Sequence, residues 1–190
     1  MAFTIIVDGN NFINDLCRYG KDKDYILNRL SFPHLHQIIQ VRLRNEGLYS
    51  HPFNHTEFIC PDRGGIGPFV ALERDELINK LKGEKGVTVR EVPQHTKLAK
   101  NKGIDLTVFI RMLTFGKQVP PDEIVLIASD TDYVPALRLM SELGIHVIIV
   151  GFESKLNKAL INESYLFIDL GKILEEMEQR KRRPRDGDPP

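Results

Sequence analysis

The chain has 190 residues, 42% hydrophobic and 27% charged, the balance of one globular domain with a full-sized core. Lys+Arg and Asp+Glu both number 26, so the formal net charge is zero and no global field draws the protein onto nucleic acid or a membrane. Any such binding needs a local patch. Cys17 and Cys60 form no CxxC pair, which argues against a disulfide framework and fits a reduced, cytoplasmic protein. The opening "MAFTIIVDGN" lacks the basic and apolar regions of a signal peptide. No stretch approaches the roughly 18–20 apolar residues of a membrane span.

In chain order, "TIIV" (4–7) reads as a first strand. Residues 24–47 read as helix, in two pieces divided near Pro33 and stopped by Gly47. "TEFIC" (56–60) is a second strand, 68–86 an amphipathic helix, and "VTVREV" (87–92) alternates like a strand. Residues 105–116 are helical and "EIVLIA" (123–128) is a fourth strand. A helix over 133–144 has Pro135 in its first turn, where proline is tolerated. "HVIIVG" (146–151) is a fifth strand, "KLNKALIN" a helix, "YLFIDL" (165–170) a short strand and 171–183 a last helix. This alternation predicts an α/β three-layer fold, with a mostly parallel central sheet and helices on both faces. The expected organisation is one domain over residues 1–175 and a charged, Pro-rich tail over 176–190, in which "RKRRPRDGDPP" frays.

The chemistry concentrates at strand ends. The first strand runs into Asp8-Gly9-Asn10-Asn11, and the fourth into Ser129-Asp130-Thr131-Asp132. "KNKGID" places Asp105 at the start of a helix. In parallel α/β sheets ligands bind beyond the carboxyl ends of strands, at the switch point of strand order. If the first and fourth strands are neighbours, Asp8, Asp105, Asp130 and Asp132 converge on one crevice. Four ionised carboxylates so placed repel each other, and a divalent cation removes the conflict; Mg²⁺ and Mn²⁺ prefer carboxylate and water oxygens. The plainer alternative stays open: Asp105 and Asp132 as helix caps and Asp8 as a turn former.

The ordered motifs "IIVDGNNF", "KGIDLTVFIRML" and "LIASDTDYVPAL…LGIHVIIVG" resemble the NYN domain family, especially its LabA-like branch, over residues 3–170. NYN domains belong to the PIN-like nuclease superfamily. The resemblance implies a Rossmann-like α/β sheet and a Mg²⁺- or Mn²⁺-dependent endoribonuclease site in which Asp8, Asp105, Asp130 and Asp132 fall on the acidic motif positions. Asn11 matches the Asn of a "DGxN" element and Ser129 the small hydroxyl residue before the paired aspartates. The segment 48–68 matches nothing in that pattern.

The chemistry is also legible from the residues. Two metals can activate an attacking oxygen and stabilise a leaving one in phosphodiester cleavage. Asp8 and Asp130 would be direct ligands. Asp105 and Asp132 would complete the shell, bind a second ion or orient water, and Asn11 and Ser129 would position a water or phosphate oxygen. The resemblance implies single-stranded RNA as the substrate. Lys97, Lys100 and Lys102 form an acid-free basic stretch leading into Asp105, and Lys155 and Lys158 could extend it. Tyr133 is a candidate base-stacking platform, or else it packs against its helix. His51, His55 and Cys60 make an incomplete zinc set. "SDTDYV" also resembles the DxDx[TV] element of haloacid-dehalogenase-type phosphatases, but it closes the fourth strand and no second acidic pair follows. The alternative to an enzyme is a non-catalytic, metal-retaining module for RNA binding or protein interaction. A homo-oligomer is left open, and no membrane is expected as a partner.

Overall fold

A computed structural model describes residues 3–48, 55–62, 71–93, 102–118 and 123–182. Its centre is a six-stranded sheet of β1 (Phe3–Asp8), β2 (His55–Pro61), β3 (Val87–Val92), β4 (Glu123–Ile127), β5 (Val147–Gly151) and β6 (Leu166–Asp169). The strand order is β3-β2-β1-β4-β5-β6, and every pairing is parallel. Between them run α1 (Gly9–Arg18), α2 (Phe32–Asn45), α3 (Ala71–Gly83), α4 (Lys102–Gly116), α5 (Val134–Glu142), α6 (Lys158–Glu163) and α7 (Leu170–Arg182).

The strands are apolar on both faces because both faces are covered. Along β1, Ile5 and Val7 join a core with residues of α1, α2, α3 and α7, while Ile6 joins a second core with residues of α4, α5 and α6. β4 repeats the division, with Val125 and Ile127 on one side and Ile124 and Leu126 on the other. That two-residue period is the pleat. The expected three-layer α/β architecture is therefore the observed one.

Chain reversal places the site. β1 pairs with β2 on one side and with β4 on the other, Val7 lying opposite Ile127. Strand order reverses between β1 and β4, so the chain leaves the sheet in opposite senses there and opens a crevice at the carboxyl edge.

Helix α1 was not among the expected elements. Its sequence GNNFINDLCR carries glycine, three asparagines and an aspartate, all weak helix formers. Packing and capping override that propensity. Phe12, Ile13 and Leu16 are at most 1% exposed, each such burial stabilising by about 1.5–3 kcal/mol. Asp8 caps the helix by accepting the Asn11 backbone N–H. Gly9 lets it start hard against β2: a Cβ there would lie 2.6 Å from the Phe58 ring and 2.8 Å from the Ile59 carbonyl oxygen.

The 24–47 region is divided as expected. A π-type turn, Tyr25–Arg29, precedes α2, and Pro33 sits in the first turn of α2. At the carboxyl end, α7 runs past the expected domain boundary at 175, and Met177 is buried in the core. Residues 183–190, and so most of the expected tail, lie outside the described residues. Among the described residues no helix is long and apolar enough to cross a membrane.

Candidate functional site

Asp8, the last residue of β1, is 1% exposed. Asn11, one helical turn on, grips it twice. The Asn11 backbone N–H donates to Asp8 Oδ1 at 3.0 Å, and its side-chain amide to Oδ2 at 2.6 Å. Tyr133, at the end of a 3-10 turn (Thr131–Tyr133) that leads into α5, reaches across the crevice. Its hydroxyl lies 2.8 Å from Asp8 Oδ2 and 3.3 Å from Asp105 Oδ1. Asp105 stands in the first turn of α4.

One phenolic proton can be given to only one carboxylate at a time. A second close carboxylate oxygen is tolerable only if its own group carries a proton or a cation compensates it. The electrostatics agree. Burial pushes the Asp8 carboxyl up, against the hydrogen bonds from Asn11 and Tyr133, and the Asp130 charge pushes the same way. Asp105 is pushed up to about 6, first by burial and then by the charges of Asp8 and Asp130, with Asp132 adding a smaller push. Asp105 thus feels the charge of each of the other three expected carboxylates. Burial and the neighbouring carboxylates push the Tyr133 hydroxyl above the ordinary phenol range, so it stays protonated.

Two of the four also cap. Asp8 caps α1, and Asp130 caps the 3-10 turn by accepting the Asp132 N–H at 3.0 Å. The capping alternative anticipated Asp105 and Asp132; the observed caps are the residues assigned as direct ligands. Capping and cation holding are compatible, since each carboxylate has about four acceptor positions.

Asp15 was missed. It is 5% exposed, its carboxyl is pushed up by burial, and a hydrogen bond from Ser129 partly offsets that. It also feels the Asp8 charge and that of Lys155. Asp15 follows Asn11 by four residues on α1, so the two share a helix face. That spacing was readable once α1 was recognised as a helix. Ser129 Oγ lies 3.4 Å from Asn11 Oδ1, long for a hydroxyl bond, so Ser129 joins the α1 face to the end of β4.

Tyr133 is not a stacking platform. It is 1% exposed, and its ring packs in the core with Leu137 and Val108. Of the expected basic residues, Lys102, Lys155 and Lys158 are exposed at this edge, whereas Lys97 and Lys100 lie outside the described residues. Of the partial zinc set, His51 lies outside the described residues, and burial pushes the Cys60 thiol up to about 11, away from a thiolate ligand.

Among the described residues no three His, Cys, Asp or Glu side chains are grouped to hold a metal ion as they stand. The donor chemistry still fits a hard divalent cation. The donors are carboxylate oxygens, they repel one another, and among the described residues no Lys, Arg or His forms an ion pair with Asp8, Asp105, Asp130 or Asp132.

Comparison with known proteins decides the family. The NYN domain model matches residues 69–175, more than half the chain. The chain belongs to the NYN family. NYN domains have a fold of the PIN-like nuclease type. The match includes Asp105, Ser129, Asp130, Tyr133 and Asp132, and begins after β1, so Asp8 and Asn11 lie outside it. No curated protein matches the chain. Among solved structures, a protein of unknown function from Vibrio parahaemolyticus RIMD 2210633 is similar at TM-score 0.56 and 14% identity, over 89% of this chain and 92% of that one. At that identity the likeness shows the fold alone.

Proposed function

We propose that this NYN domain is a metal-dependent endoribonuclease that hydrolyses phosphodiester bonds of single-stranded RNA. The observation that carries the reading is the carboxylate set at the β1/β4 switch point, without an ion-pair partner among the described residues, where Asp8 and Asp105 flank a single Tyr133 proton. Asp8, Asp105, Asp130 and Asp132 would hold Mg²⁺ or Mn²⁺. Bound there, the cation supplies charge stabilisation to the phosphoryl group in transfer and acidifies water. The chain's own residues do the rest. Asn11 fixes the orientation of Asp8 through two donors. Tyr133 holds the Asp8 and Asp105 oxygens at a fixed separation. Ser129 and Asp15 brace the back of the crevice. Lys102 on one flank and Lys155 on the other supply positive charge for the phosphate backbone.

A second reading is a non-catalytic RNA-binding or interaction module. It is favoured by the absence, among the described residues, of an assembled three-ligand group. Incubation of purified protein with labelled single-stranded RNA separates the two. Internal cleavage with Mn²⁺ or Mg²⁺, abolished by chelator, is expected. A Mn²⁺-induced rise in melting temperature with no RNA cut would overturn the enzyme in favour of the module.

A further inference from the structure

Beside the carboxylates lies a cleft of about 420 Å³, within the roughly 300–1,000 Å³ range of sites that seat small organic groups. Its walls are apolar: Leu106 and Phe109 from α4, and Pro135 and Leu139 from α5. Its inner end is Asp105, Asp132 and Tyr133, and Lys102 stands at its rim. Leu106 is 59% exposed and Leu139 39%, so two leucines face water where neither is needed by the core. We propose that this cleft seats one unpaired nucleobase of a single-stranded nucleic acid, next to the phosphodiester lying on the carboxylates.

Three features select that occupant. The cleft shares Asp105, Asp132 and Tyr133 with the acidic crevice, so its occupant adjoins whatever group lies on the acids. A nucleotide has that composition, a flat apolar-faced ring joined to an anion. Lys102 complements the anion at the rim, while Phe109 and the aliphatic walls offer the ring a face without demanding a base identity. A second copy of the chain fits less well, because charged side chains are depleted from the cores of protein interfaces and this cleft is lined by three. The cleft takes over the base-contacting role that Tyr133, being buried, cannot fill.

The nature of the polymer rests on the proposed function, so the test is made independent of cleavage. Binding of a fluorescent ten-nucleotide oligouridylate and of an abasic backbone of equal length is measured with Ca²⁺ in place of Mn²⁺ or Mg²⁺, so that a cation compensates the carboxylates, and strand integrity is checked on a gel. The wild type is expected to prefer the base-bearing strand, and Leu106→Ser combined with Leu139→Ser to reduce that preference about tenfold, leaving abasic binding unchanged. Ile110→Ser is the control: Ile110 is 50% exposed on the same helix but outside the cleft, and the preference should survive its replacement. A wild type that binds neither strand, or binds both equally, overturns the inference. So does a preference untouched by the double substitution. Sedimentation showing a wild-type dimer that the leucine variants dissociate, with no base preference, assigns the face to self-association instead. If base preference is present and no RNA is cut under any metal, the nuclease reading fails and the cleft stands. If RNA is cut and the preference is absent, the cleft fails alone.

Discussion

Two buried acids on neighbouring strands show opposite electrostatics. Glu57 in β2 is 2% exposed and Asp8 in β1 is 1% exposed. Burial pushes the Glu57 carboxyl up, but hydrogen bonds and charge from Arg111 and Arg90 more than offset it, and the group titrates low. Arg111 is forked onto Glu57 at 2.6 and 2.7 Å, and Arg90 lies 3.2 Å away. Among the described residues Asp8 has neutral donors, Asn11 and Tyr133, and a carboxylate, Asp130, as a charged neighbour, and its carboxyl is pushed up. Glu57 is a charge with its partners already in place, tying β2 to β3 and α4. Asp8 belongs to a set whose compensation must come from outside. Both are buried acids in strands, so burial alone does not mark a functional carboxylate; the sign of its surroundings does.

The largest test of that contrast is activity. Asp8→Asn or Asp130→Asn keeps shape and removes the charge that would hold a cation, and cleavage should fall by at least about a hundredfold. Stability in chelator should hold or rise, because a like-charge conflict is relieved. Retained cleavage in Asp8→Asn protein would reject Asp8 as a ligand. Glu57→Gln should do the reverse, leaving cleavage per folded molecule intact while costing about 3 kcal/mol in chemical denaturation. That is the low end for breaking a buried pair, because Arg90 and Arg111 are partly exposed. Equal melting of the two variants would erase the distinction.

Most of the fold was legible because strand-helix alternation is written in long apolar runs such as "EIVLIA" and "HVIIVG". The convergence of Asp8 with Asp130 followed from one condition, that β1 and β4 are neighbours, and the register of Val7 with Ile127 meets it. Helix α1 was illegible because its propensities are poor and its stability comes from tertiary burial and the Asp8 cap. Asp15 was lost with it. Tyr133 stayed open between a stacking platform and a packed residue, because the residue after two aspartates looks polar-flanked. Only the 3-10 turn shows that it rotates inward to meet Asp8. The Glu57 network was silent in sequence, since a glutamate within "TEFIC" gives no sign of which arginines will face it.

A smaller effect is expected from pH. Asp105 titrates near 6 in the folded protein, above the ordinary carboxylate value of 3.8. The folded state therefore binds its proton more tightly than the unfolded chain. The associated stability is fully present below about pH 4 and is lost as pH rises through about 6. His36 runs the opposite way. Burial lowers it to about 3, so its contribution is present above the ordinary histidine value of 6.5 and is lost as pH falls. Denaturation in chelator at pH 4 to 7, comparing wild type with Asp105→Asn, isolates the first term. Because His36 contributes equally to both proteins, the readout is their difference: the wild type should lose stability relative to the variant between pH 4 and 6. Superimposable pH profiles would mean that Asp105 is not held in conflict with its neighbours.

The smallest expected effect comes from Tyr133→Phe. The substitution keeps the buried ring and removes one hydroxyl, the neutral donor between Asp8 and Asp105. A lost hydrogen bond to a charged group typically costs about 1.5–3 kcal/mol, but here the acids can respond by keeping a proton, so about 1 kcal/mol is expected at neutral pH. The direction of the accompanying titration is firmer than the energy. The Tyr133 hydroxyl holds both carboxyls lower than burial alone would, so without it Asp105 should titrate higher still. Carbon-13 carboxyl shifts followed against pH in chelator read this directly. An upward move of the Asp105 midpoint, with the Glu57 midpoint unmoved, places the hydroxyl as the shared donor of the acidic set. A midpoint that stays put or moves down would mean that the hydroxyl does not donate into the pair in solution, and that the Asp8 orientation rests on Asn11 alone.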